Sequence, residues 1–233
     1  MDVLVVDVGG SHVKMLASGA SEPRRFDSGD DLTPHVLVTR VREMTADWKY
    51  GAVSLGYPGE VDAKGPRREP GNLGDGWVGF DFSKAFEKPV RILNDAAMQA
   101  LGGYDGGRML FLGLGTGVGS ALVTEHVVVP LELGCLPYCP DETLFDRIGS
   151  AGREKYGHTA WANSVAQVTA MLKEAFAADY VLLGGGNAKH IDPLPAGARR
   201  GGNADAFTGG FRLWEEVVEP HDRRSSSAWR VVR

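Results

Sequence analysis

Short apolar runs punctuated by polar, glycine-bearing turns set the rhythm of the chain. Val3 to Val6 is apolar, Asp7-Val8-Gly9-Gly10 interrupts it, and apolar positions resume from Val13 to Ala17. Two such runs around a glycine turn predict a β-hairpin. Helical spacing from Val36 to Met44 predicts a helix, and Ala52 to Leu55 a short buried strand. Residues 57–81 hold Pro58, Pro66 and Pro70 among many glycines, a loop region too long to serve only as a connection. Val90, Ile92 and Leu93 then supply a strand, and Ala96 to Leu101 a helix of good helix formers.

The plan recurs from about Arg108. Met109 to Leu114 predicts a strand, "GTGVG" a turn, and Ala121 to Val123 the return strand. Val127 to Val129 adds another strand, and Thr159 to Ala178 reads as a long amphipathic helix. It feeds a strand from Tyr180 to Leu183 that ends in Gly184-Gly185-Gly186. A last helix is predicted from about Ala204 to Val218, and residues 219–233, with little periodicity, as a mobile tail. The duplication predicts an α/β fold of two lobes, each built on a mixed β-sheet.

Composition narrows the chemistry. Of 233 residues 32 are glycine, about twice the usual ~7%, and they cluster at strand ends, where backbone is brought close to something. The net charge of -5 argues against a general grip on nucleic acid or on an anionic membrane. No apolar run approaches the roughly 18 residues of a membrane span, and "MDVLVVDVGG" lacks the basic region of a secretory signal. Two cysteines, Cys135 and Cys139, make no disulfide framework, which fits a cytoplasmic location. Structural zinc takes four ligands, so both are read as small buried side chains and no structural zinc is expected.

Known nucleotide signatures fail. No lysine is followed by Ser or Thr, as a P-loop needs, and Val118 stands where the dinucleotide fingerprint wants its third glycine. What is left is three strand-terminal turns: Asp7 to Ser11, Gly113 to Gly117, and Gly184 to Gly186. Without a Cβ, successive N–H groups can converge on phosphate oxygens. Any one turn is as readily a plain hairpin; three in two repeated halves point to phosphate. A carboxylate in such a turn repels phosphate unless a cation intervenes, so Asp7 suggests Mg²⁺ held through water. Asp95, before an Ala-rich helix, is on its own a natural N-cap.

The order of motifs resembles the sugar-kinase branch of the actin-like ATPases, with its ribonuclease H-like lobes, and specifically the ROK (repressor, open reading frame, kinase) family, over about residues 3 to 215. "DVGGSHVK" and "GLGTGVGSALV" resemble its two phosphate motifs, "VLLGGGNAKH" the segment bordering adenosine, and "GYPGEVD", "PGNL" and "ILNDA" its sugar-side segments. The run "LELGCLPY" is similar to the polyphosphate/ATP glucokinases of that family. The resemblance implies a homodimeric enzyme that phosphorylates a hexose from ATP or polyphosphate with Mg²⁺. By position, Asn72, Asn94, Asp95 and Glu132 match contacts to sugar hydroxyls, and Asp95 matches the general base, so that it serves as cap and base together. Gly9, Gly10, Ser11, Gly115, Thr116 and Gly117 match phosphate contacts, and Gly185 and Gly186 the nucleotide side. Cys135 stands where the family commonly has a histidine that touches the sugar. The implied lobes are residues 1–106 with 209–233 on the sugar and phosphate side, and 107–208 on the nucleotide side.

Other residues keep two readings. His12 is either a phosphate contact or a hairpin surface residue. Lys14, on the same strand face, either neutralises the donor or is solvated. Trp48, Trp77, Trp161 and Trp214 either stack on a ligand or pack the core, and Arg199-Arg200 is either a solvated loop or a polyphosphate track. A kinase for another small molecule, such as an amino sugar or pantothenate, and a catalytically weak sugar sensor are the alternatives. A repressor with an added N-terminal helix-turn-helix is not expected, because the first phosphate motif begins at residue 7.

Overall fold

Two sheets of one plan, separated by a pair of helices, hold most of the chain. The computed structural model describes residues 1–125, 127–202, 204–218 and 226–232. The first sheet contains β1 (Val3–Val8), β2 (His12–Ala17), β3 (Arg24–Asp27), β4 (Ala52–Tyr57) and β5 (Val90–Asn94), in the order β3-β2-β1-β4-β5. β1, β2 and β3 pair antiparallel, whereas β1, β4 and β5 run parallel. Strand β4, parallel to both neighbours, is buried along its whole length, as a parallel strand covered on both faces must be, while antiparallel β2 alternates.

One face of this sheet is covered by α1 (Pro34–Met44) and α2 (Phe82–Phe86). Thr33 caps α1, its Oγ1 accepting from the Val36 N–H, with proline in the first turn, and Asp81 caps α2 by accepting from the Lys84 N–H. Leu4, Val6, Leu37, Val41, Leu55 and Trp77 close that core. The other face meets α3 (Asp95–Gly103), which follows β5 directly.

The second sheet comprises β6 (Arg108–Leu114), β7 (Val118–Thr124), β8 (Val127–Leu131), β9 (Tyr180–Gly184), β10 (Ala198–Arg200) and β11 (Arg230–Val231), in the order β10-β9-β6-β7-β8-β11. Read from β8 to β10, the connectivity repeats that of the first sheet: three antiparallel strands, then two parallel to the innermost. The mixed sheet is thus duplicated, as the repeated plan in the sequence predicts. Its outer face packs α4 (Leu144–Ile148) and α5 (Ser150–Ala175), the latter broken at Gly157 where φ is 75°.

Between the sheets α3 crosses α6 (Asp205–Arg212) at van der Waals distance. A Cβ on Gly102 would fall 1.8 Å from the Asp205 carbonyl oxygen, and one on Gly209 1.8 Å from that of Met98, so the crossing requires glycine on both helices. Arg212 then donates to the carbonyls of Leu101, Gly102 and Tyr104 at the end of α3 (2.8, 3.1 and 2.9 Å). Buried Ser54 on β4 donates to the Gly210 carbonyl (2.6 Å) and accepts from the Trp214 indole (2.9 Å), tying α6 to the first sheet.

Four expectations are corrected. The long helix starts at Ser150 rather than Thr159, because the charged, glycine-broken stretch before His158 masks the apolar period. The last helix ends at Arg212 rather than Val218: Glu216–Val218 is extended and pairs with Ser226–Ala228. Residues 219–225 and 233 of the tail lie outside the described residues, but Arg230–Val231 is a strand of the second sheet. Arg199 and Arg200 lie in a strand, not a loop. Among the described residues no helix is long and apolar enough to cross a membrane.

Candidate active site

Both innermost strands deliver a turn to the same cleft. At the end of β1, Asp7 lies across the hairpin from Lys14, its register partner on β2. The side chain has room because Gly56 is opposite: a Cβ there would sit 3.3 Å from Asp7 Oδ1 and 2.4 Å from Met98 Cε. Lost hydration raises the Asp7 carboxyl above its ordinary range, and Lys14 partly opposes this. His12 is paired with Asp27 at 3.4 Å, the surface reading of that residue.

The following turn is held by its own backbone. The Gly9 N–H donates to the His12 carbonyl (3.0 Å), Ser28 Oγ donates to the Gly9 carbonyl (2.6 Å), and the Ser28 N–H to that of Ser11 (3.1 Å). Gly10 has no Cβ for a specific reason: one would lie 2.0 Å from the Asn72 amide nitrogen. The loop carrying Asn72 therefore closes directly onto the first turn. That loop is stapled by Glu69, whose carboxylate accepts from the Trp77 and Val78 N–H groups (2.9 and 3.1 Å).

Asp95 opens α3 at the mouth of β5. The helix cap is its neighbour: Asn94 Oδ1 accepts from the Ala97 N–H (3.1 Å) and Asn94 Nδ2 donates to the Gly59 carbonyl (3.1 Å). The reading of Asp95 as cap is thus corrected. Its Oδ1 accepts from the adjacent Ala96 N–H (2.8 Å), and the residue is only partly buried. Lost hydration, then Asp7, then Glu132 push its pKa up to about 7, against the stabilising Ala96 N–H. Asp7, Asp95 and Glu132 therefore share one field. Glu132 is open to water on one side, yet lost hydration and the Glu60 carboxylate raise it too, with Arg68 opposing. Sequence reasoning missed Glu60, which lies in "GYPGEVD" and pairs with Arg67 and Arg68 at 3.6 Å each.

The second and third turns form one unit. The Gly115 N–H donates to the Gly117 carbonyl (3.1 Å), and Gly185, at φ +78°, packs against Leu114 so closely that a Cβ would lie 2.6 Å from the Leu114 carbonyl oxygen. Gly9, Gly10, Gly115 and Gly117 are outside the positive-φ region; clearance explains Gly9, Gly10 and Gly117, whereas a Cβ on Gly115 would meet nothing closer than 4.0 Å. Thr116 is exposed at the tip, as are Gly185 and Gly186. Three residues that sequence reasoning missed lock the unit: Ser150 donates from Oγ and N–H to the Gly115 carbonyl (2.8 and 3.0 Å), Asn187 Nδ2 donates to Ser150 Oγ (2.9 Å), and Arg153 donates to Asn187 Oδ1 (3.1 Å). Asn187 adjoins the third turn and was within sight; Ser150 fell in a stretch with no helical signal. Gly119 brings β7 against α3, where a Cβ would sit 2.6 Å from Ala96 Cβ, so the strand that follows the second turn adjoins the residue after Asp95.

Cys135 ends a short 3₁₀ turn (Leu133–Cys135) after Glu132. Both cysteines are exposed, which corrects the expectation of burial; Cys139 faces Glu142 at 4.0 Å. Among the described residues no group of three or more His, Cys, Asp and Glu side chains could hold a metal by itself. The four tryptophans at 48, 77, 161 and 214 pack: Trp77 and Trp161 are fully buried, and Trp48 and Trp214 lie under Arg24 and Arg91.

No family model matches the chain. A polyphosphate glucokinase from Mycobacterium leprae is 26% identical over 209 residues, covering 80% of this chain; the chain spans 64% of that relative's length. Among solved structures, the inorganic polyphosphate/ATP-glucomannokinase from Arthrobacter sp. strain KM superimposes with a TM-score of 0.74 at 21% identity, over 90% of this chain and 96% of its own. The ROK hexokinase from Thermus thermophilus gives 0.66 at 20% identity, over 90% and 96%. The chain is similar in sequence to the polyphosphate glucokinases and has the fold of the ROK sugar kinases.

Proposed function

We propose that the chain is a sugar kinase that moves a phosphoryl group from ATP or polyphosphate to a hexose hydroxyl, with Asp95 as general base. The observation that carries this reading is a carboxylate at the cleft whose pKa stands at about 7, beside a second carboxylate on a phosphate-type turn. The hydroxyl oxygen bonds to the terminal phosphorus as the bridging P–O bond breaks. Its proton passes to Asp95, and ADP or the shortened polyphosphate leaves with the bridging electrons. Backbone N–H groups around Gly9, Gly10, Ser11, Gly115, Thr116 and Gly117 orient the donor, and Lys14 offsets its charge. Asn72, Asn94 and Glu132 hold acceptor hydroxyls, and closure of the two lobes, divided near residues 106 and 208, excludes water.

Two neighbouring carboxylates, with lost hydration and then Asp7 pushing the pKa of Asp95 up and lost hydration raising Asp7, fit a divalent cation. Asp7 would hold Mg²⁺ through water, and the ion, when bound, neutralises donor phosphates. By the same resemblance the enzyme is a cytoplasmic homodimer. A second acceptor is favoured by one observation: Cys135 replaces the family's usual histidine, which suits a sugar other than glucose, such as an amino sugar. A coupled assay across a hexose panel, run separately with ATP and with polyphosphate, tests the reading. Phosphorylation of one hexose supports it; sugar binding without turnover under either donor would make the chain a sensor.

A further inference from the structure

Buried hydroxyls hold the chain together at a few points. Ser54 ties α6 to the first sheet, Ser164 accepts from Arg147 Nε and donates to the Ala160 carbonyl (2.9 Å each), and Thr45 donates to the Val41 carbonyl (2.7 Å). Ser120 on β7 is fully buried too, but its bonds fall beside the cleft. Its Oγ donates to the Leu131 carbonyl (2.8 Å) and accepts from the Leu133 N–H (3.0 Å). Those two backbone groups flank Glu132. Ser120 and Leu131 are also the last register partners of β7 and β8, so the hydroxyl takes over where the ladder stops. Glu132 then turns, at φ -117° and ψ 53°, into Leu133–Cys135, and its side chain makes no capping bond to that turn. The Cys135 N–H donates to the Glu132 carbonyl (3.1 Å). The turn lies close against the start of β7, since a Cβ on Gly134 would sit 3.2 Å from the Val118 carbonyl oxygen. The backbone of Glu132 is thus held on both sides, while its carboxylate is not spent on capping.

A backbone N–H buried without a partner is costly, and Leu133 is buried. A bend at this depth therefore needs a group that both donates and accepts, and a serine hydroxyl does so on one short side chain. Alanine would leave the Leu131 carbonyl and the Leu133 N–H to find other partners, and the backbone between them would be free to relax. Ser120 lies within the stretch Gly113 to Val123, which resembles a phosphate motif, yet both of its bonds are to the segment that carries Glu132. We infer that Ser120 is a positioning residue for the acceptor: it fixes the backbone on either side of Glu132 and so aims that carboxylate at the sugar. β7 leaves the donor turn at Gly117 and grips the Glu132 segment at Ser120, so one strand keeps the two substrates in register. The inference rests on the reading of Glu132 as a contact to acceptor hydroxyls.

The test is steady-state kinetics of the full chain with glucose and mannose as acceptors and ATP and polyphosphate as donors. Ser120→Ala is expected to raise the acceptor KM about tenfold while the donor KM moves by less than about twofold. Ser120→Thr, which keeps the hydroxyl, is expected to restore the acceptor KM. Because Ser120 acts through Glu132, Glu132→Gln alone and Glu132→Gln combined with Ser120→Ala should share one acceptor KM. A serine that served only the fold would instead raise both KM values, and its effect would add to that of Glu132→Gln. Either of those patterns, or an unchanged acceptor KM in folded Ser120→Ala, overturns the inference. Should Ser120→Ala not fold, Ser120→Cys, a weaker hydrogen-bonding group on a side chain of similar size, takes its place in the same comparison. Absence of hexose phosphorylation by the wild type with either donor would overturn the kinase reading instead. Calorimetry with the same two sugars then decides: weaker binding by Ser120→Ala with no further loss in the double variant supports the inference, and unchanged or absent binding overturns it.

Discussion

Asp95 sets two properties in opposition. A base must be ionised, and the cleft that makes it useful disfavours ionisation, so its pKa of about 7 falls where a proton acceptor works best. Asp95→Asn is expected to lower kcat by roughly 100- to 10,000-fold while the sugar still binds. The acid limb of wild-type kcat/KM should fall near pH 7 and vanish in the variant; near-normal turnover would remove Asp95 from the chemistry. The folded state retains this proton to higher pH than the unfolded chain does. Stability from the group is thus full below about pH 4 and is lost as pH rises through about 7. Asn carries no such penalty, so at pH 8 the variant should be more stable than wild type by on the order of 2–4 kcal/mol, and near pH 4 by little. Denaturant titrations at the two pH values check this. At Cys135 the reverse exchange applies: a thiol is a weaker hydrogen-bond partner than imidazole, and Cys135→His should lower the glucose KM by roughly tenfold. Unchanged selectivity across glucose, mannose and N-acetyl amino sugars would mean that the position does not read the sugar.

Glycines at helix crossings and glycines at turns should respond differently to an added methyl. Gly102→Ala or Gly209→Ala places Cβ 1.8 Å from a backbone oxygen of the opposing helix, with no flexible side chain to yield, so loss of soluble folded protein is expected. Gly115→Ala meets nothing closer than 4.0 Å and should fold, with the donor KM rising more than the acceptor KM. An acceptor-only defect would place the donor elsewhere. The contrast also explains what could be read in advance. The strands β1, β2, β4, β6 and β9 announce themselves by apolar runs, and the three turns by glycine, because both signals are local. Asp7, Asp95 and the turns followed from them. The α3–α6 crossing, Ser150 and Arg153 act through partners distant in sequence, and α4 and β3 are too short or too polar to show a period. Asn94 as the true cap was a matter of one residue, settled only by where its amide points.

Ligand binding should be felt by the two sheets together, since Asp7 belongs to one, Glu132 follows the other and Asp95 lies between them. A hexose present at 100 times its Kd should add about 2.7 kcal/mol to unfolding stability, and donor plus acceptor more than either alone. Thermal shift measurements over the same panel would rank acceptors independently of turnover; no shift with any hexose would count against a sugar site. Arg230–Val231 has a separate consequence. It lies parallel against Val127 and Val128 and so covers what would otherwise be the bare outer edge of β8. Backbone donors and acceptors left open along an apolar strand invite pairing with another chain. Shortened forms that stop before Ser226 would carry an adhesive rim, and their tendency to associate should be judged as a property of the cut rather than of the native assembly.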